Sequence, residues 1–135
     1  MTPRPSVLVA RAVFPEAVAR LREHFDVVPN PDDREWSRDE LSGRLQGMQG
    51  LLATAGEPID VALLDAHPQL RAVCLMTVGY NNVDVDACTA RGVLVTNAPG
   101  VLTETTADLG FALMMAAARR FSEAERFLRS GAWNE

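Results

Sequence analysis

The sequence predicts an α/β fold: a flavodoxin-like, doubly wound parallel sheet of about five strands, followed by one long helix. Two observations carry the sheet. Short β-branched runs alternate with helical segments, and five such runs occur with crossover helices between them. A third observation, a change of character after Asn97, carries the long helix.

The elements follow in order. Residues 6–10 (S-V-L-V-A) read as the first strand. Pro15 opens a helix whose apolar positions Ala17, Val18, Leu21 and Phe25 recur at three- and four-residue spacing. A short strand at 26–28 is stopped by the loop Pro29-Asn30-Pro31-Asp32-Asp33. Ser37, with Glu40 three residues later, makes a capping box for a helix through Leu45. Residues 50–54 (G-L-L-A-T) read as a buried strand, 60–66 as a helix and 71–76 as a strand. Asp84 is the N-cap of a helix over 85–91, and Gly92 is its left-handed terminator. The fifth strand is 93–96. From Thr103 to Arg119 one long helix is expected, with Glu104 in its first turn and Arg119-Arg120 at its end, both suited to the macrodipole. Its middle, 109–118, is apolar all round, so it needs protein on every side. A final amphipathic helix near 122–130 ends at Gly131.

Composition excludes several classes. The 47% hydrophobic and 23% charged content is that of an ordinary globular domain. A net charge of −5 argues against an electrostatic nucleic-acid footprint. All 13 basic residues are Arg, so a Walker-type loop, a Schiff-base lysine and a lysine general base are absent from these residues. No two glycines stand one residue apart, so there is no G-x-G-x-x-G pyrophosphate turn. Cys74 and Cys88 have neither metal nor redox spacing, and Cys74 reads as a small buried hydrophobe. His24 and His67 read as surface or helix-end histidines, and no metal site is expected. The apolar stretch 109–118 is too short to span a bilayer and no signal peptide is legible, so a cytoplasmic protein without membrane partners is expected.

The candidate chemistry lies in loops that follow strands. Met76-Thr77-Val78-Gly79-Tyr80 sits past the carboxyl end of a predicted strand, where open α/β sheets place ligands. Gly79 there permits backbone geometry that a side chain would obstruct, freeing N–H groups to face an anion; alternatively, the turn simply needs Gly for its dihedrals. Ala53-Thr54-Ala55-Gly56-Glu57 follows another strand end. Glu57 reads as a solvated loop charge and Asp60 as a helix N-cap, not as a carboxylate dyad. In N-A-P-G-V-L-T-E-T-T-A-D, residues 97–108, Pro99-Gly100 turns the backbone. The hydroxyls of Thr103, Thr105 and Thr106 then cap the helix or face a cleft.

Together, V-G-Y-N-N-V-D at 78–84, V-L-V-T-N-A-P-G-V-L-T-E-T-T-A-D at 93–108 and the Arg pair resemble the D-isomer-specific 2-hydroxyacid dehydrogenase family, in its glyoxylate/hydroxypyruvate reductase branch. The resemblance covers nearly the whole chain and is strongest from Gly50 onward. Asn81 stands where many relatives carry Asp. The resemblance implies a substrate-side α/β half over 1–97 and crossover helices over 98–135, leading to a dinucleotide-binding domain outside these residues. It implies that the amides of Val78 and Gly79 hold the carboxylate of a small 2-oxo acid, with Ala55 in the opposite wall. Val78 would also lie near the nicotinamide of NAD or NADP, and Thr106 near the cofactor. The family's catalytic Arg, Glu and His match nothing here, so inactivity alone is expected. A homodimer through the 103–120 helix is the expected assembly, and a non-catalytic binding or dimerisation module is the alternative.

Overall fold

The computed structural model describes residues 3–133, in two compact units, Met1–Pro99 and Gly100–Glu135. The first unit holds β1 (Ser6–Val9), α1 (Pro15–Arg22), β2 (Asp26–Val28), α2 (Arg38–Arg44), β3 (Gly50–Ala53), α3 (Val61–Ala66), β4 (Ala72–Leu75), α4 (Val85–Ala90) and β5 (Leu94–Thr96). Every strand pair is parallel and the order is β2-β1-β3-β4-β5. This is the doubly wound, flavodoxin-like sheet that the alternation predicts. β2 has the expected bounds, and the other four strands run one or two residues shorter than expected. The hydrogen bonding continues past them: Ala10 N–H donates to Leu52 O at 2.8 Å and Met76 N–H to Ala53 O at 2.9 Å.

Period-two alternation sends one set of strand residues into the core. Leu8, Ala10, Leu51, Ala53, Val73 and Leu75 are buried there. They pack with Leu41 and Leu45 around α2, Leu63 and Leu64 of α3, and Ala87 and Cys88 of α4. The local signals hold. Ser37 and Glu40 form the reciprocal capping box, Asp60 and Asp84 cap α3 and α4, and Gly92 has φ of 67°.

The opposite sheet face is thinly covered. Helix α1 buries none of its residues; Val18 and Leu21 are half-buried and Ala17 is exposed. Cys74 is therefore not the buried hydrophobe expected. It lies on this face, half-buried, in an open apolar groove with Val7, Leu21, Phe25, Leu52 and Ala72. The fully buried cysteine is Cys88, whose thiol is pushed up by burial.

His67, expected at the surface or a helix end, is both the C-cap of α3 and 1% exposed. Its Nε2 lies 2.9 Å from Ser42 Oγ, and Gln69 Nε2 is 3.5 Å from Nδ1. Because it closes a helix that leads into β4, this enclosed pair sits at the amino ends of the strands, away from the loops where ligands bind.

The second unit holds α5 (Thr103–Ala118) and α6 (Phe121–Arg129), joined by Arg120 with φ of 50°. Neither helix has a buried residue. Among the described residues no helix is long and apolar enough to cross a membrane.

Candidate functional site

Three loops leave the carboxyl ends of β3, β4 and β5, which are neighbours in the sheet. The first is organised by Glu57. Its Oε2 accepts from Thr54 N–H at 2.6 Å and from Thr54 Oγ1 at 2.9 Å, while Gly56 N–H donates to Thr54 Oγ1 at 3.3 Å. Glu57 is only 8% exposed, so it is an internal acceptor that closes the loop, not a solvated charge. Sequence spacing cannot reveal this, because it depends on the loop folding back on Thr54. Ala55 is exposed at the loop tip.

Asp60 is used separately. It caps α3 through Leu63 N–H at 3.0 Å and takes both oxygens to Arg38, at 2.6 and 2.7 Å. The Arg38 guanidinium, followed by the Leu63 N–H, lowers its carboxyl below the usual range. Each carboxylate is thus committed to its own donors, and the two do not form a dyad.

Asn82 ties the first loop to the second. Its Nδ2 donates to Thr54 O at 3.0 Å and to Glu57 O at 2.6 Å. Ile59 N–H donates to Asn82 O and Asp84 N–H to Ile59 O, each at 2.8 Å, making a short parallel bridge between Ile59 and Val83. Sequence reading missed Asn82; its only signal is its place in the Y-N-N-V-D motif. Its Oδ1 is buried with no hydrogen-bond partner among the described residues.

The second loop carries Val78, Gly79 and Tyr80, all exposed. Thr77 O accepts from Ala98 N–H at 3.0 Å, Val78 O from Asn97 Nδ2 at 2.8 Å, and Gly79 O from Thr77 Oγ1 at 2.9 Å. Among the described residues the N–H groups of Val78, Gly79 and Tyr80 have no acceptor. Successive exposed amides without partners are suited to an anion. Gly79 does not need glycine for its dihedrals, since its φ is outside the left-handed region. Nor would a side chain obstruct the backbone, because a Cβ there meets nothing within 4 Å. Both sequence-based explanations of Gly79 are thereby corrected, and the space above its amide is open.

Thr106 lies in the other unit, exposed in the first turns of α5, with its N–H bonded to Leu102 O at 2.9 Å. No side chain caps this helix; the Thr105 hydroxyl turns back to Leu102 O at 3.1 Å.

The family described as D-isomer specific 2-hydroxyacid dehydrogenase, catalytic domain, matches residues 7–129. The glyoxylate reductase of Thermococcus kodakarensis is 43% identical over 130 residues, which are 96% of this chain and 39% of that protein. Among solved structures, the TT0316 protein from Thermus thermophilus is 38% identical with a TM-score of 0.82, over 96% of this chain and 42% of that one. The NADPH-dependent glyoxylate/hydroxypyruvate reductase of Sinorhizobium meliloti, in complex with NADP and malonate, is 35% identical with a TM-score of 0.75, over 96% and 39%. The chain thus spans about 39% of the length of the first-named relative. With the family match running through the sheet, the loops and both final helices, the chain belongs to the D-isomer specific 2-hydroxyacid dehydrogenases, in the region of their catalytic domain.

Proposed function

We propose that these residues form the substrate-carboxylate side of an NAD(P)-dependent oxidoreductase that reduces small 2-oxo acids, such as glyoxylate or hydroxypyruvate, to 2-hydroxy acids. The observation that carries this reading is the row of partnerless amides at Val78, Gly79 and Tyr80, on a loop whose carbonyls are all tied back. A carboxylate is the anion such a substrate offers, and N–H donors to a charged group form the stronger class of hydrogen bond. The S. meliloti relative was solved with malonate, a dicarboxylate, and with NADP.

In this reading the Val78 and Gly79 amides take the substrate carboxylate, and Ala55 stands in the facing wall. Val78 also borders the nicotinamide, and Thr106 lies near the cofactor. The cofactor, when bound, supplies hydride transfer. These residues have no glycine-rich phosphate turn, so they do not fit the pyrophosphate of NAD or NADP. Residues 1–97 serve as the substrate half and 98–135 as crossover helices. The chain is cytoplasmic, and inactive by itself.

The test has two arms. The isolated 135-residue chain should show no glyoxylate-dependent oxidation of NADH or NADPH; measurable turnover would end the claim of inactivity. In a two-domain enzyme carrying these residues, Gly79→Val should lower kcat/KM for glyoxylate severely, because its isopropyl group would occupy the open space through which a carboxylate reaches the Val78 and Gly79 amides. Unchanged kinetics would remove the loop from the substrate site.

A further inference from the structure

We infer that Asn97, assisted by Thr77, is a positioning residue that aims the amides of the carboxylate loop; this rests on the substrate reading above. A trans peptide holds its C=O and the following N–H in one plane, pointing in opposite directions. Fixing a carbonyl therefore fixes the direction of the next amide. Asn97 Nδ2 holds Val78 O at 2.8 Å, which turns the Gly79 N–H away from Asn97. The neighbouring Ala98 N–H holds Thr77 O at 3.0 Å, which turns the Val78 N–H away from Ala98. Both carbonyls point to residues 97–98, so both amides face the side away from that segment. The third peptide is set from within the loop, where Thr77 Oγ1 holds Gly79 O at 2.9 Å and so directs the Tyr80 N–H.

This gives the start of the N-A-P-G segment a task for the substrate loop, apart from its task as a turn. Without Asn97, the exposed Val78–Gly79 peptide has no side chain on its carbonyl, and its plane is free to rotate. The space beside Gly79 is open, since a Cβ there would meet no atom within 4 Å. Donation to a carbonyl also polarises the peptide, making its N–H a better donor to an anion.

The experiment is a 15N–1H NMR titration of the 135-residue chain with oxamate, a 2-oxo acid analogue that does not hydrate. In the unsubstituted chain the Val78, Gly79 and Tyr80 amides should shift on titration. Asn97→Leu keeps the side chain's size and neutrality but cannot donate, and it should weaken oxamate roughly five- to tenfold. Thr77→Val should weaken it similarly, whereas Thr77→Ser, which keeps the hydroxyl, should retain the original affinity. Both side chains serve exposed peptides, so melting temperature should change little, and this separates aiming from folding. Unchanged affinity in Asn97→Leu, with normal shifts in the unsubstituted chain, overturns the inference and leaves the carboxylate loop standing. If Asn97→Leu does not fold, unchanged affinity in Thr77→Val overturns it. Absence of any shift at these amides in the unsubstituted chain removes both the loop's role and the inference.

Discussion

His67 is neutral in the folded protein because burial lowers its pKa from the ordinary value of 6.5. Its partners agree with that state: the Gln69 amide nitrogen faces Nδ1, and the same nitrogen already donates to Leu45 O at 3.0 Å. Nδ1 must then accept, Nε2–H donates to Ser42 Oγ, and protonation would set donor against donor. Asp65 and Arg91, the charged groups nearby, are paired with each other at 2.6 Å. A depressed histidine pKa means that the unfolded chain binds more protons. Stability is therefore full above about pH 6.5 and falls as the pH drops below it. The urea midpoint should be lower at about pH 5.5 than at about pH 7.5, and the difference should shrink in His67→Asn. The carboxylates of Asp33, Glu40 and Asp60 are all lowered by their arginine partners and titrate below this window. An equal pH dependence in His67→Asn would show that another group is responsible. The environment of His67 was not legible in the sequence, and neither were those of Glu57 and Cys74. Each is set by how the chain folds around the residue: Ser42, far along the chain, meets His67, the loop turns Glu57 back onto Thr54, and the sheet face at Cys74 is only thinly covered.

At the scale of elements, what was legible was local chemistry. The Ser37–Glu40 box, the Asp60 and Asp84 caps and the Gly92 terminator each act within a turn of the residue concerned, so sequence alone locates them. Strand alternation likewise needs only period two, and it puts Leu8 of β1, Leu51 and Ala53 of β3, and Val73 and Leu75 of β4 on the core face. The apolar spacing of α1 was legible too, but its depth of burial was not, because that depends on what covers the sheet. Two glycines turn this distinction into a prediction. Gly92 has φ of 67°, so Gly92→Ala forces a left-handed alanine and should destabilise by about 1 kcal/mol. Gly43 is a residue of α2 whose Cβ would meet nothing within 4 Å. Gly43→Ala should therefore stabilise by roughly 0.5–1 kcal/mol through a stiffer unfolded chain and better helix propensity. Opposite shifts of the urea midpoint are the expected result. Shifts of the same sign would contradict the assigned conformations.

At the scale of the molecule, exposed apolar surface is the feature the fold leaves unresolved. In the second unit Leu109, Phe111, Leu113 and Met114 are each about 60% exposed, with no charged residue from 109 to 118. Apolar patches of this kind on soluble proteins usually mark a contact surface. A helix that is apolar all round gains little from water on any side, and a second copy of the same helix offers a matching surface. We therefore expect the chain to self-associate through residues 103–120. Light scattering should then give a mass of twice 14.7 kDa. Placing charges at the seam, with Leu109→Glu and Leu113→Glu together, should return the protein to 14.7 kDa. These changes leave the core of the first unit untouched, so its far-UV signal should survive them. A defined dimer abolished by the charges would also favour a dimerisation module over a merely silent half-enzyme. Open-ended aggregation would instead mean that the helix is shaped for cover other than its own copy. A well-dispersed monomer would refute self-association outright, since the same exposed leucines would then be stable in water without a partner.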